Sequence, residues 1–114
     1  MEEMSCKFVQ TAPFLRAWEA MGLSDDDLLE LEQILLENPE AGDTIQGTGG
    51  ARKIRIQLNG HGKRGGGRVI YLNVYEKESI FLLFAYPKSI QDDLTSEQRK
   101  AVAKMIELIK KEGA

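Results

Sequence analysis

Lys53 and Arg55 stand two residues apart in an alternating run, so their side chains project from the same face of a strand. Arg68 opens the next β-prone run, and Tyr86 and Lys88 end the one after it. If strands 53–58, 68–75 and 79–86 are neighbours, these groups converge at one end of a sheet. Cations and a phenol gathered there can bind a phosphate and stabilise a phosphorane transition state by charge-assisted hydrogen bonds. Cleavage of RNA by its own 2′-OH needs little more than that. A group must accept the 2′-OH proton, cations must sit on the non-bridging oxygens, and a donor must protonate the leaving 5′-oxygen. The same residues also fit an ordinary solvated strand face that keeps a sheet edge soluble.

The charge distribution favours a polyanionic ligand. Residues 44–75 hold no Asp or Glu and six bases: Arg52, Lys53, Arg55, Lys63, Arg64 and Arg68. The formal charges of segments 1–43, 44–75 and 76–114 are −9, +6 and 0, and the net charge is −3. Net acidity thus conceals a concentrated cationic block. Eight of the eleven glycines lie between Gly47 and Gly67, which leaves the backbone there open to close approach. Arg52, Lys63 and Arg64 are expected to contact RNA by charge alone, without reading bases.

Other chemistries are excluded. Gly60, Gly62 and Gly65 match GxGxxG, but they precede a strand, whereas a dinucleotide fingerprint lies between a strand and a helix. Lys63 is followed by Arg64, so there is no phosphate loop of the GK[ST] kind. A single His61 and a single Cys6 make no zinc site and no recognisable nucleophile pair, so no metal or cofactor is expected. Asp25, Asp26 and Asp27 are explained by a helix start, where the dipole favours negative charge.

The elements that must position the site follow from pattern. At 114 residues the chain is expected to be one domain spanning 1–114. Residues 6–11 alternate as a short strand. Residues 13–21 read as a helix with Pro13 at its first position and Gly22 closing it. Ser24 and Asp27 form a capping box, Leu23 and Leu28 take the hydrophobic-staple positions, and Leu28, Leu31, Ile34 and Leu35 make an apolar stripe that ends before Pro39. Strands 53–58, 68–75 and 79–86 follow, the second and third joined by a tight acidic turn, and the third apolar enough to be interior. Thr95 and Gln98 cap a last helix lined by Val102, Met105, Ile106 and Ile109. The order β-α-α-β-β-β-α predicts an α+β domain, an antiparallel sheet with helices packed on one face. The N-terminus lacks the basic and apolar regions of a secretory signal, and no apolar run reaches the ~18–20 residues of a membrane span. A cytoplasmic protein is expected.

At these residues the chain resembles a known family. The run LSDDDLLELEQILLENPEAGDTIQGTGGARKIRIQ, then GHGKRGGGRVIYLNV, IFLLFAYPK and DDLTSEQ, is similar to the toxins of the RelE/ParE superfamily of type II toxin–antitoxin modules, closest to the HigB-like branch. The resemblance spans residues 8–110. It implies a ribosome-dependent endoribonuclease that cuts mRNA in the decoding site. It also implies a partner antitoxin, of a helix-turn-helix, HigA-like kind. The family's K-x-K/R pair falls on Lys53 and Arg55, its R-[VL]-[IV]-Y arginine on Arg68, and its final Tyr-x-Lys on Tyr86 and Lys88. Two departures stand out: Gly67 replaces the usual aromatic before the arginine, and Pro87 replaces the usual Ala. The ParE branch poisons DNA gyrase, so a gyrase-directed toxin or an inactive remnant are the alternative expectations. Tyr and Lys titrate near 10 when unperturbed, so either clustered cations lower Tyr86 or Lys88, or these act only as acids and orienting groups.

Overall fold

The computed structural model describes residues 6–57 and 66–112. Expectations for His61, Lys63, Arg64 and the glycines around them lie outside the described residues. The element order is β1 (Lys7–Gln10), α1 (Ala12–Ala20), α2 (Asp25–Glu37), β2 (Asp43–Thr44), β3 (Arg52–Ile56), β4 (Gly67–Val74), β5 (Ser79–Pro87) and α3 (Ser96–Glu112).

Each helix begins on a cap. The Thr11 hydroxyl accepts from Phe14 N, and Pro13 sits in the first turn of α1, where its missing N–H costs nothing. Phe14 and Trp18, one turn apart, stack at 5.2 Å between ring centroids. Ser24 and Asp27 close a reciprocal capping box on α2. Its three first-turn aspartates complement the helix dipole. Leu31 and Leu35 bury fully, whereas Ile34 stays 43% exposed, so the apolar stripe of α2 is narrower than its sequence implies. Thr95 and Gln98 cap α3 in the same reciprocal way.

The sheet has five strands in the order β1-β5-β4-β3-β2. β3, β4 and β5 form an antiparallel meander, and β2 is a two-residue edge piece whose brevity hides it from periodicity. The expectation of a wholly antiparallel sheet needs correction, because β1 runs parallel to β5. A hairpin can join only antiparallel strands; β1 is separated from β5 by both first helices and three strands, which leaves its direction free. β5 is interior, as its two apolar faces require.

The two faces of the sheet carry separate cores. Phe14, Trp18, Leu31 and Leu35 pack on Ile54, Val69, Tyr71 and Leu82. Ile70, Leu72, Leu83 and Tyr86, which alternate with those strand residues, pack with Leu94, Val102 and Ile106. The expectation of helices on one face therefore describes α1 and α2, while the apolar side of α3 meets the other face. Tyr71 is a packing residue, fully buried, its hydroxyl donating to Pro39 O and accepting from Gly42 N, both at 2.9 Å.

No described helix is long and apolar enough to cross a membrane.

Candidate functional site

Register assembles the site. Arg55 pairs with Arg68 across β3 and β4, and Arg68 pairs with Tyr86 across β4 and β5. Such partners share a face, with Cβ atoms about 5 Å apart. Lys53, two residues along β3, pairs with Ile70 and lies on that same face. Arg55, Arg68 and Tyr86 thus form one row across three strands, with Lys53 beside it. Arg55 is exposed, whereas Arg68 is only 6% exposed and Tyr86 3%. The three cations, Lys53, Arg55 and Arg68, line a cleft of about 430 Å³ together with Asp43 and Asp92 among others.

The row is poorly explained by stability alone. Like charges directly opposite on a sheet repel, and a buried guanidinium loses solvation. Arg68 compensates with one hydrogen bond, Nη1 to Gly67 O at 3.1 Å, and with the Asp92 carboxylate 3.9 Å from Nη2. An anion bound between Arg55 and Arg68 would complete the arrangement.

Two carboxylates that the sequence reasoning did not single out sit at this cleft. Lys53 Nζ donates to Asp93 Oδ1, and this bond, together with the lysine charge, holds the Asp93 carboxyl below the usual range. The Tyr86 hydroxyl donates to Asp92 O at 3.3 Å. Residues 92 and 93 thus contact Lys53, Arg68 and Tyr86 from one segment, just before the α3 cap. The only sequence signal was an acidic pair close to a helix start, which dipole complementarity accounts for equally well.

The Tyr86 phenol is pushed up to about 12, chiefly by burial, then by the Asp93 charge; Arg68 opposes this and Asp92 adds to it. Lowering of Tyr86 by clustered cations therefore does not occur, because desolvation outweighs the guanidinium. The phenol is a protonated donor at neutral pH. Lys88 leaves the end of β5 with an exposed side chain, and its backbone N donates to Gly66 O at 3.1 Å. Among the described residues, no hydrogen bond or ion pair ties its ammonium to the other four.

Arg52 does not join the set. It pairs with Tyr71, on the opposite face, and its Nη1 donates to Gly42 O at 2.7 Å and Glu40 O at 3.3 Å. It clamps the α2–β2 connection through these two carbonyls. The place of the missing aromatic is closed as well: a Cβ on Gly67 would lie 2.9 Å from Met21 Cε and 3.2 Å from Tyr86 O. Met21 fills the space that a larger side chain would need. A larger groove of about 710 Å³ lies between α1 and the end of β5, lined by Met21, Phe84, Tyr86, Pro87 and Ile90 among others, so the Tyr86 end of the row borders it. Among the described residues, no cluster of His, Cys, Asp and Glu could hold a metal ion.

Comparison with known proteins bears on the fold and the family. The fold is similar to that of a doubly substituted E. coli toxin RelE in the free state, with a TM-score of 0.59 and 21% identity over 90% of this chain and 99% of that one. It is similar to the archaeal RelE–RelB complex from Pyrococcus horikoshii, with a TM-score of 0.52 and 21% identity over 77% of this chain and 100% of that one. The intact E. coli RelBE toxin–antitoxin complex gives a TM-score of 0.53 and 21% identity over 73% of this chain and 96% of that one. Residues 6–112 match the sequence profile of the RelE toxin of the RelE/RelB toxin–antitoxin system, and the chain belongs to that toxin family.

Proposed function

We propose that this toxin is a metal-independent endoribonuclease that cuts mRNA on the ribosome and is neutralised by a cognate antitoxin. The observation that carries the reading is the single row Arg55–Arg68–Tyr86, with Lys53 on the same face and the three cations lining an open cleft. Arg68, with Lys53 and Arg55, binds the non-bridging oxygens of the scissile phosphate and stabilises the charge of the phosphorane. The 2′-oxygen of the substrate forms a bond to phosphorus as the bond from phosphorus to the 5′-oxygen breaks, leaving a cyclic phosphate and a 5′-hydroxyl. Tyr86, protonated at working pH, is the leading donor to the departing 5′-oxygen. Lys88 is the second candidate. The 2′-OH proton passes to solvent water, and the donor regains its proton from solvent, so the step is neutral in protons overall. The antitoxin reading rests on the family and on relatives solved as RelE–RelB complexes.

The test is induction without an antitoxin, followed by mapping of RNA ends. Growth arrest with mRNA cuts fixed relative to the reading frame is expected. Broken DNA with intact transcripts would replace the nuclease with a gyrase poison, and normal growth at high soluble expression would leave an inactive remnant.

A further inference from the structure

Lys53, Arg68 and Tyr86 are each engaged from within the molecule, and all three by two consecutive residues. Lys53 Nζ donates to Asp93 Oδ1, Arg68 Nη2 lies 3.9 Å from Asp92 Oδ1, and the Tyr86 hydroxyl donates to Asp92 O at 3.3 Å. Asp43 lines the same cleft but pairs with none of its cations, and Arg55 meets no carboxylate, among the described residues. The three engaged groups are those that the substrate needs. A phosphate oxygen takes the place of each carboxylate, and the leaving 5′-oxygen takes the place of the carbonyl. Two aspartates also bring two negative charges, as many as the phosphorane of an RNA phosphodiester carries once its 2′-oxygen is deprotonated.

The segment that carries both aspartates is short and lightly held. It starts at Pro87, the last residue of β5, whose carbonyl accepts from Ile90 N at 3.1 Å. It ends at Leu94, which is buried in the core beneath α3. Between these two points Ile90 is exposed, so no apolar side chain pins the outer part. Gln91 braces the rest: its Nε2 donates to Asp93 O at 2.9 Å and to Gln98 Oε1 at 2.7 Å. A stretch with so little buried apolar surface opens locally at low cost. The side chains of Asp92 and Asp93 are 74% and 65% exposed, and ion pairs at such exposure are weak.

We infer that Asp92 and Asp93 form an autoinhibitory latch, which occupies the places of the scissile phosphate and the leaving oxygen in the free protein and is displaced when substrate binds. This rests on the phosphate-binding reading of the row and adds that the free protein is held shut. The latch supplies the counter-charge that Lys53 and Arg68 need while the row is empty. It also sets a threshold, because a ligand must gain more from the row than the two carboxylates do. Tyr86 becomes free to donate to the leaving oxygen only when the Asp92 carbonyl withdraws.

The test is D92N/D93N, which removes both charges and keeps both shapes. E19Q/E37Q, on exposed residues of α1 and α2, is a control of equal charge change. The probe is a short all-deoxy oligonucleotide, which has no 2′-OH and cannot be cut. Its binding to the full chain is measured at low and high salt, with thermal unfolding to verify the fold, and KM and kcat are measured on ribosome-bound mRNA. D92N/D93N is expected to bind the probe about tenfold more tightly at low salt, with the gain shrinking at high salt, and to lower KM. If the double variant does not fold, D93N alone is expected to show the larger share of that gain. An equal gain in the control would reduce the effect to net charge and overturn the latch. Unchanged affinity would overturn it too. So would weaker binding or a lower kcat, which would make the two aspartates positioning residues for Lys53 and Arg68. K53A and R68A test the reading beneath: if neither weakens binding of the probe, the row does not hold phosphate, and that reading fails separately from the latch.

Discussion

Arg55 and Arg68 face each other in direct register across β3 and β4, one exposed and the other buried. Two cations so placed work against the fold and in favour of an anion. Relief of the repulsion is worth about 0.2–1 kcal/mol for a cross-strand pair. Arg55→Thr is therefore expected to raise stability slightly while lowering cleavage. Denaturant unfolding and cleavage of ribosome-bound mRNA, measured on the same preparation, check the two halves. A variant that loses stability and keeps full activity would mean that Arg55 serves the fold.

Arg68→Ala removes the buried member of the pair. It is expected to lower cleavage ~100–1000-fold, the loss typical of an oxyanion-type donor. Lys53→Ala and Arg55→Ala are expected to cost less, because the remaining cations partly substitute. Single-turnover rates on mRNA-bound ribosomes check the ranking. Full activity in Arg68→Ala would displace the site from this row.

The route from sequence to site was open at some steps and closed at others. Capping at Ser24 and Thr95, the alternation of Lys53, Ile54 and Arg55, and the apolar run of β5 all depend on neighbours in the chain, so local pattern shows them. Facing of Arg55 and Arg68 depends on register, and a slip of one residue would have put them on opposite sides. Arg52 and Lys53 are adjacent and identical in charge, yet one clamps carbonyls at Glu40 and Gly42 while the other reaches Asp93. Strand alternation already turns them to opposite faces, but the partners each meets there, the α2–β2 connection and residue 93, are not local properties. Burial of Tyr86 under Leu94 and α3 likewise depends on α3 meeting the face that α1 and α2 leave free.

Arg52→Ala should therefore behave as a fold variant. Loss of the charged bonds to Gly42 O and Glu40 O is expected to cost about 1–3 kcal/mol. Cleavage per folded molecule should be unchanged at temperatures well below the transition. A selective loss of ribosome binding with normal stability would return Arg52 to the RNA interface.

Asp93 stands where a phosphate would compete for Lys53. Asp93→Asn removes the charge and keeps the shape, so RNA should bind up to about fivefold more tightly at low salt, in line with the modest strength of an exposed ion pair. The gain should fade at high salt as screening rises. Titration of a short RNA at two ionic strengths measures it. Weaker binding would show that Asp93 positions Lys53 for the ligand and does not compete with it.

Tyr86 gives the sharpest chemical test. Burial raises its phenol from near 10 to about 12 in the folded protein. A group raised in this way favours folding fully below pH 10, where both states are protonated, and loses that contribution as pH climbs toward 12. Stability of the unaltered protein should fall across that window, and Tyr86→Phe, which cannot ionise, should fall less. At neutral pH the phenol stays protonated, so its role as donor should leave cleavage independent of pH between about 6 and 9 on its account. Tyr86→Phe keeps the ring and its packing with Ile70, Leu83 and Leu94. If the hydroxyl protonates the leaving oxygen, cleavage should drop ~100–10,000-fold with ribosome binding unchanged. A substrate whose leaving 5′-oxygen is replaced by sulfur departs without a proton, so it should be cut by Tyr86→Phe at nearly the rate of the unaltered protein. Persistence of the defect on that substrate would take proton donation from Tyr86 and give it to Lys88.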